Sequence, residues 1–140
     1  MKILVICTGN SCRSQMAEGF LKSIATNHEV YSAGTHPASK VSHIAIQVMN
    51  EAGIDISSHH PKHISIFEQT QFDYVITVCD SANRECPIFP GEAANRLHIG
   101  FDDPANAHGT QDEIINEYRR IRDEIRLAFQ DFYEKNLDIN

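Results

Sequence analysis

The sequence predicts a single-domain α/β protein built on an open, four-stranded parallel sheet flanked by helices. Three observations carry that prediction. Four short β-rich runs, Lys2–Cys7, Glu29–Gly34, Phe72–Cys79 and Asn95–Phe101, are separated by segments with helical apolar spacing. Strands that alternate with helices imply parallel pairing through right-handed crossovers. Polar stretches follow the first, third and fourth strands, at the sheet edge where open α/β folds bind ligands.

Each element follows from its own residues. "KILVIC" is an apolar run of strand length, as a strand covered on both faces requires. After a polar turn, a helix from about Ser14 places Met16, Ala17, Phe20, Leu21 and Ile24 on one face. "EVYSAG" is a short strand closed by Gly34. "SKVSHIAIQVMNEAG" repeats Val41, Ile44, Ala45, Val48, Met49 and Ala52 on one face, with Gly53 as its stop. "SIFEQ" reads as a short helix. "FDYVITVC" is a β-rich run ending in Cys79, and "NRLHIGF" is the last strand. A long amphipathic helix then carries Ile114, Tyr118, Ile121, Ile125, Ala128 and Phe132 at helical spacing. No repeat, low-complexity stretch or linker interrupts residues 1–140, so the chain reads as one domain.

Bulk properties narrow the function. A chain of 140 residues, 41% hydrophobic, can bury a core without staples. A net charge of -7 argues against a nucleic-acid partner, so an anionic substrate has to be captured by a local field. The apolar run from Ile3 to Cys7 is too short for a signal-peptide core, and no stretch approaches the ~18–20 apolar residues of a membrane span. A cytoplasmic location is therefore expected, where thiols stay reduced. In that setting Cys7, Cys12, Cys79 and Cys86 read as catalytic or redox thiols rather than structural disulfides. Zinc is disfavoured because the cysteine pairs have four and six intervening residues, wider than a knuckle.

The stretch "CTGNSCRS" at the first strand-to-helix junction is the strongest chemical signal. Gly9 is expected to permit close backbone approach, so that the amides from Thr8 through Asn10, Ser11, Cys12, Arg13 and Ser14 turn inward as an anion nest. The following helix adds its positive N-terminal end. Arg13 supplies a planar fork suited to a tetrahedral oxyanion. Cys7 sits under that positive field, and Ser14 can donate a hydrogen bond to its sulfur, which favours a nucleophilic thiolate. Asn10 is expected to brace the loop through its side chain. Cys7 as a mere strand-end residue, with Arg13 as a surface cation, is the plainer reading. The C-x5-R-S spacing at a βα junction favours catalysis over it.

Together "CTGNSCRSQMAEG", "YSAG", "AGIDIS", "CDSANRECP" and "GFDDPA" resemble the low-molecular-weight tyrosine phosphatase superfamily. More closely, the chain is similar to the thioredoxin-coupled arsenate reductase branch, from about Lys2 to about Phe129. The resemblance implies a phosphatase-like fold with the anion-binding loop after the first strand, and arsenic detoxification by reduction of arsenate to arsenite. It implies a three-cysteine relay in which Cys7 is the nucleophile, Cys79 forms a transient Cys7–Cys79 disulfide, and Cys86 then makes Cys79–Cys86 for thioredoxin to reduce. Asp103, before Pro104, would be the acid that protonates a leaving oxygen. A turn role is its plainer reading, and Asp102 can fill that role beside it. "DPANAHG" offers no aromatic wall for a phenyl ring, which suits a small oxyanion such as arsenate, phosphate or sulfate. A phosphatase acting on small phosphoesters, or a non-catalytic oxyanion or redox sensor, are the alternatives. Cys12 reads as packing.

Some relatives hold potassium beside the loop, at positions that correspond to Asn10, Glu18, Ser32 and an acidic residue. Here the fourth position is Lys62, and an ammonium has no acceptor to offer a cation. No metal or organic cofactor is therefore expected. Lys62 would either stand near Glu18 as a tethered charge or lie in solvent. His59, His60 and His63 in "HHPKH" are expected in a solvated loop, because Pro61 breaks any shared helical face.

Overall fold

The computed structural model describes residues 1–80 and 88–138. In chain order these form β1 (Lys2–Cys7), α1 (Arg13–Ile24), β2 (Glu29–Gly34), α2 (His43–Glu51), β3 (Phe72–Thr77), β4 (Ala93–His98) and α3 (Gln111–Asn136). Single 3-10 turns occur at Ile64–Phe67 and Pro104–Asn106. The strands make one sheet in the order β2-β1-β3-β4, and every neighbouring pair is parallel.

The period of two in β1 divides the core. Ile3, Val5 and Cys7 face a large cluster with the apolar sides of α1, α2 and α3, including Met16, Val48, Ile121 and Phe129. Leu4 and Ile6 face the other way, onto a smaller cluster with Ile64, Phe72, Val75 and Phe89. Both faces of β1 are thus covered, which is why its run is continuously apolar.

Several boundaries move from their expected places, each for a local reason. α1 begins at Arg13, one residue early. α2 starts only at His43, because the Ser42 side chain accepts from the Ala45 amide and caps it. Val41 remains buried in the core ahead of the cap. β3 ends at Thr77 instead of Cys79, although the Val78 amide still donates to Ile6 O. β4 is Ala93–His98, displaced toward the N-terminus from Asn95–Phe101. The amides of Ile99 and Phe101 continue to bond Thr77 O and Val78 O, while the Phe101 ring turns in to stack on Phe129. On α3 the buried stripe includes Phe129, and a Thr110–Glu113 capping box fixes the helix start.

This topology positions the site. The sheet order reverses at β1, whose neighbours β2 and β3 lie on opposite sides, and a crevice opens at such a switch point. The loop after β1, Cys79 just beyond β3 and Asp103 beyond β4 all leave the same edge. No helix among the described residues is long and apolar enough to cross a membrane.

Candidate active site

The residues between β1 and α1 form a cradle whose carbonyls are held outward. Thr8 O accepts from the His36 amide, Gly9 O from Ala38 and Ser11 O from Ser42, at 2.8–2.9 Å. With those carbonyls tied to the segment after β2, the loop amides are left to face inward, as an anion nest requires. The residue that turns the chain is Asn10, with φ 50, the only non-glycine at positive φ among the described residues. Gly9 does not need its freedom here: a Cβ on it would meet only Ser11 Oγ, at 3.6 Å. The glycine that the loop does require is Gly34, where a Cβ would lie 2.4 Å from Thr8 O.

Asn10 tolerates the left-handed conformation because all of its polar atoms are engaged. Its Nδ2 donates to Ser14 Oγ at 2.8 Å and to Ser32 Oγ at 2.9 Å. Its Oδ1 accepts from the Lys62 amide and its carbonyl from Gln15 Nε2. Two donors then converge on the buried Cys7 sulfur: the Asn10 amide at 3.2 Å and the Ser14 hydroxyl at 2.9 Å. Because Ser14 Oγ already accepts from Asn10, its proton is free to point at the sulfur. Asn10 therefore does brace the loop, and it also contacts the nucleophile.

Arg13 is buried, with Nη1 donating to Phe101 O at 3.0 Å and Nη2 3.5 Å from Asp103 Oδ2. The acid candidate and the guanidinium thus face one another across the mouth of the loop. Asp103 also accepts from the Ala105 amide, so it caps the turn at Pro104–Asn106 itself. Asp102 does not share that role; it points away to Arg120 on α3. Cys12 is buried under the loop, and burial, reinforced by Asp103 and Cys7, pushes its thiol far up against the opposing pull of Arg13. It stays protonated and inert, as a packing residue should.

Cys7 and Cys12 are free thiols. Cys79 is fully buried and disulfide-bonded. It lies two residues beyond Thr77, which is in register with Ile6, the residue before Cys7. The first and second thiols therefore leave adjacent strands at the same level. Cys86 lies outside the described residues.

Lys62 does stand near Glu18, half-buried in the same cavity and within reach of its charge, but the ammonium that pairs with Glu18 is that of another lysine. Lys22, one helical turn along α1, places Nζ 2.5 Å from Glu18 Oε2, whereas Lys62 Nζ donates to His60 O. Ser32 Oγ donates to Glu18 Oε1, so an unbroken chain of hydrogen bonds runs from Glu18 through Ser32, Asn10 and Ser14 to Cys7. The histidines also differ from a simple solvated loop. His59 is half-buried against Gln15 and lies 3.8 Å from Glu18, and its burial lowers its basicity. His63 turns aside to Ser65 and does not join it. Sequence reasoning missed Gln15 and Lys22. For Lys22 the signal was present, as an i,i+4 Glu–Lys pair on a helix. For Gln15 spacing gave none, since it shares its side of α1 with Glu18, Gly19 and Lys22, away from the apolar stripe.

Known proteins share the sequence pattern and the fold. Residues 2–139 match the family model for low molecular weight phosphotyrosine protein phosphatase. An arsenate reductase of Shouchella clausii is 46% identical over 133 residues, covering 94% of either chain. A solved arsenate reductase in the phosphate binding state superposes with a TM-score of 0.80 at 30% identity, covering 96% of this chain and 97% of the other. A thioredoxin-dependent arsenate reductase of Corynebacterium glutamicum aligns with a TM-score of 0.56 at 30% identity, over 92% of this chain and 61% of its own.

Proposed function

The chain belongs to the low molecular weight phosphotyrosine protein phosphatase family, and from that premise we propose that it is an arsenate reductase recycled by thioredoxin. The observation that carries the reading is Cys7, its sulfur under two hydrogen-bond donors on the floor of an oxyanion cradle, with a second cysteine leaving the adjacent strand. A phosphatase needs only the cradle, Arg13 and Asp103. The second thiol is what converts thiol attack into reduction.

The steps balance as follows. The Cys7 thiolate attacks arsenic(V) held by the loop amides and Arg13, and one arsenate oxygen departs with a proton from Asp103. Cys79 then attacks the Cys7 sulfur as a thiolate. The sulfur–arsenic bonding pair stays with arsenic, which leaves as arsenite, and the Cys7–Cys79 disulfide forms. Cys86 attacks Cys79 and releases Cys7 as a thiolate. The resulting Cys79–Cys86 disulfide accepts two electrons from the dithiol of thioredoxin.

No metal or organic cofactor enters these steps, and Lys22 supplies the positive charge beside Glu18. The substrates that fit the cradle are tetrahedral oxyanions, with phosphate and sulfate as unreactive competitors. A thiol enzyme recycled by thioredoxin works in a reducing compartment, which places it in the cytoplasm. The test is NADPH oxidation coupled through thioredoxin reductase and thioredoxin, with and without arsenate. Arsenate-dependent oxidation supports the reading. Hydrolysis of small phosphoesters without it would make the protein a phosphatase, and phosphate binding with neither activity would make it a sensor.

A further inference from the structure

The geometry points to Gln15 as a positioning residue of the oxyanion loop, one whose amide holds the Asn10–Ser11 peptide and so aims the Ser11 N–H into the anion nest. The inference rests on reading the loop as an oxyanion cradle. Gln15 lies on α1 with its side chain fully buried. Every polar atom of its amide is used. Nε2 donates to Asn10 O at 3.0 Å and to His60 O at 3.2 Å, and Oε1 lies 3.0 Å from His59 Nδ1. Because both N–H groups go to carbonyls, the amide orientation is fixed, and His59 Nδ1 must carry the proton that Oε1 accepts.

The two ends of this contact differ in what they need. Asn10 is a left-handed residue with a side chain, a conformation that costs free energy and persists only where its surroundings over-determine it. Gln15 grips its carbonyl from below, and the Lys62 amide grips its Oδ1 from the far side, at 2.9 Å. The segment from His59 to Lys62 is therefore a strap that reaches Asn10 twice, directly through the Lys62 amide and indirectly through Gln15. Release of the Asn10 carbonyl lets the Asn10–Ser11 peptide rotate, and the Ser11 N–H of the anion nest turns with it, whereas the preceding peptide stays held through Gly9 O. The effect would fall on anion capture, through a residue that does not itself touch the anion.

The experiment reads the cradle with inorganic phosphate, as the concentration that half-protects Cys7 from iodoacetamide, located by peptide mapping at a temperature where each variant is folded. In Gln15→Met, which keeps the volume and loses the amide, that concentration is expected to rise about tenfold or more. A packing role alone would lower the melting temperature and leave protection unchanged, and that result would overturn the proposal. Two further variants carry the test even if Gln15→Met fails to fold. His59→Asn keeps an N–H donor for Gln15 Oε1 and should protect like the parent, whereas His59→Leu should need severalfold more phosphate. Both remove the imidazole beside Glu18, so equal behaviour of the pair would also overturn it. If phosphate does not protect Cys7 in the parent chain, the cradle reading itself fails, independently of Gln15.

Discussion

At Gly34 a single methyl group would lie 2.4 Å from Thr8 O and 3.0 Å from Cys7 O, and both are backbone atoms that cannot swing aside. Gly34→Ala is therefore expected to push the oxyanion loop off its strand, destabilising the fold by ~1–3 kcal/mol and reducing arsenate turnover more than its stability loss explains. Urea unfolding together with the coupled assay checks this, and parent-like turnover would refute it. The thiols separate by environment in the same way. Cys7→Ser should abolish arsenate reduction, since Ser14 and the Asn10 amide would then serve no nucleophilic sulfur. Cys12→Ala should leave turnover near normal, because burial keeps that thiol protonated. Cys86→Ser should allow about one turnover and leave a Cys7–Cys79 disulfide, readable by peptide mapping; sustained turnover would remove Cys86 from the relay. The shared loop of Cys7 and Arg13 was visible in the sequence, in the C-x5-R-S spacing at a strand end, whereas the roles expected of Cys79 and Cys86 came only with the family resemblance. Gly34 was visible only as the end of a strand. That it yields to the loop depends on which carbonyl crosses it.

Among the elements, the segment His59–Lys62 and the first turns of α1 determine how the loop responds to protons and cations. Burial lowers the basicity of His59 below its ordinary value of 6.5. The folded state therefore resists a proton that the unfolded chain accepts, and linkage makes stability fall as pH drops below about 6.5 toward the lower folded value. Melting temperatures measured from pH 8 to pH 5 should show that loss, and His59→Asn should flatten it; an unchanged slope would assign the loss to other groups. The Glu18–Lys22 pair makes a separate prediction. With an ammonium 2.5 Å from Glu18, turnover and melting temperature should respond to potassium no more than to sodium at equal ionic strength. Lys22→Met should take the paired ammonium from Glu18, which keeps the Ser32 hydroxyl, and lower stability, and potassium should restore more of it than sodium does. A potassium preference in the parent would mean that the lysine does not fill the cation's place. Position along the chain pointed to Lys62, which does lie within reach of Glu18's charge but spends its ammonium on His60 O, since side-chain direction in a loop is not periodic. On α1 it is, and Lys22 is the residue one turn from Glu18.

For the molecule as a whole, function depends on three chain segments meeting at one edge of a parallel sheet. The alternation of strands and helices made that meeting legible, because parallel strands send all their following loops the same way. Less legible were the places where tertiary contacts override local pattern: β3 and β4 stop short of Cys79 and Phe101, yet their backbone bonding continues through Val78, Ile99 and Phe101. Nor could spacing show the Gln15–His59 contact, which joins residues 44 apart. An oxyanion seated in the cradle would bridge α1, the loop after β1 and the segment of Asp103, and it binds only when they are assembled. Ligand linkage then predicts a global effect: phosphate at ~100 times its dissociation constant should stabilise the fold by about 2.7 kcal/mol, roughly 10 °C in melting temperature. Arg13→Ala removes the guanidinium that faces the cradle, so most of that shift should disappear even though the variant retains the loop amides. Lys2→Ala, at the opposite end of β1 beside Asp73, should keep the shift intact. If both variants respond to phosphate like the parent, the ion stabilises the protein somewhere other than this loop.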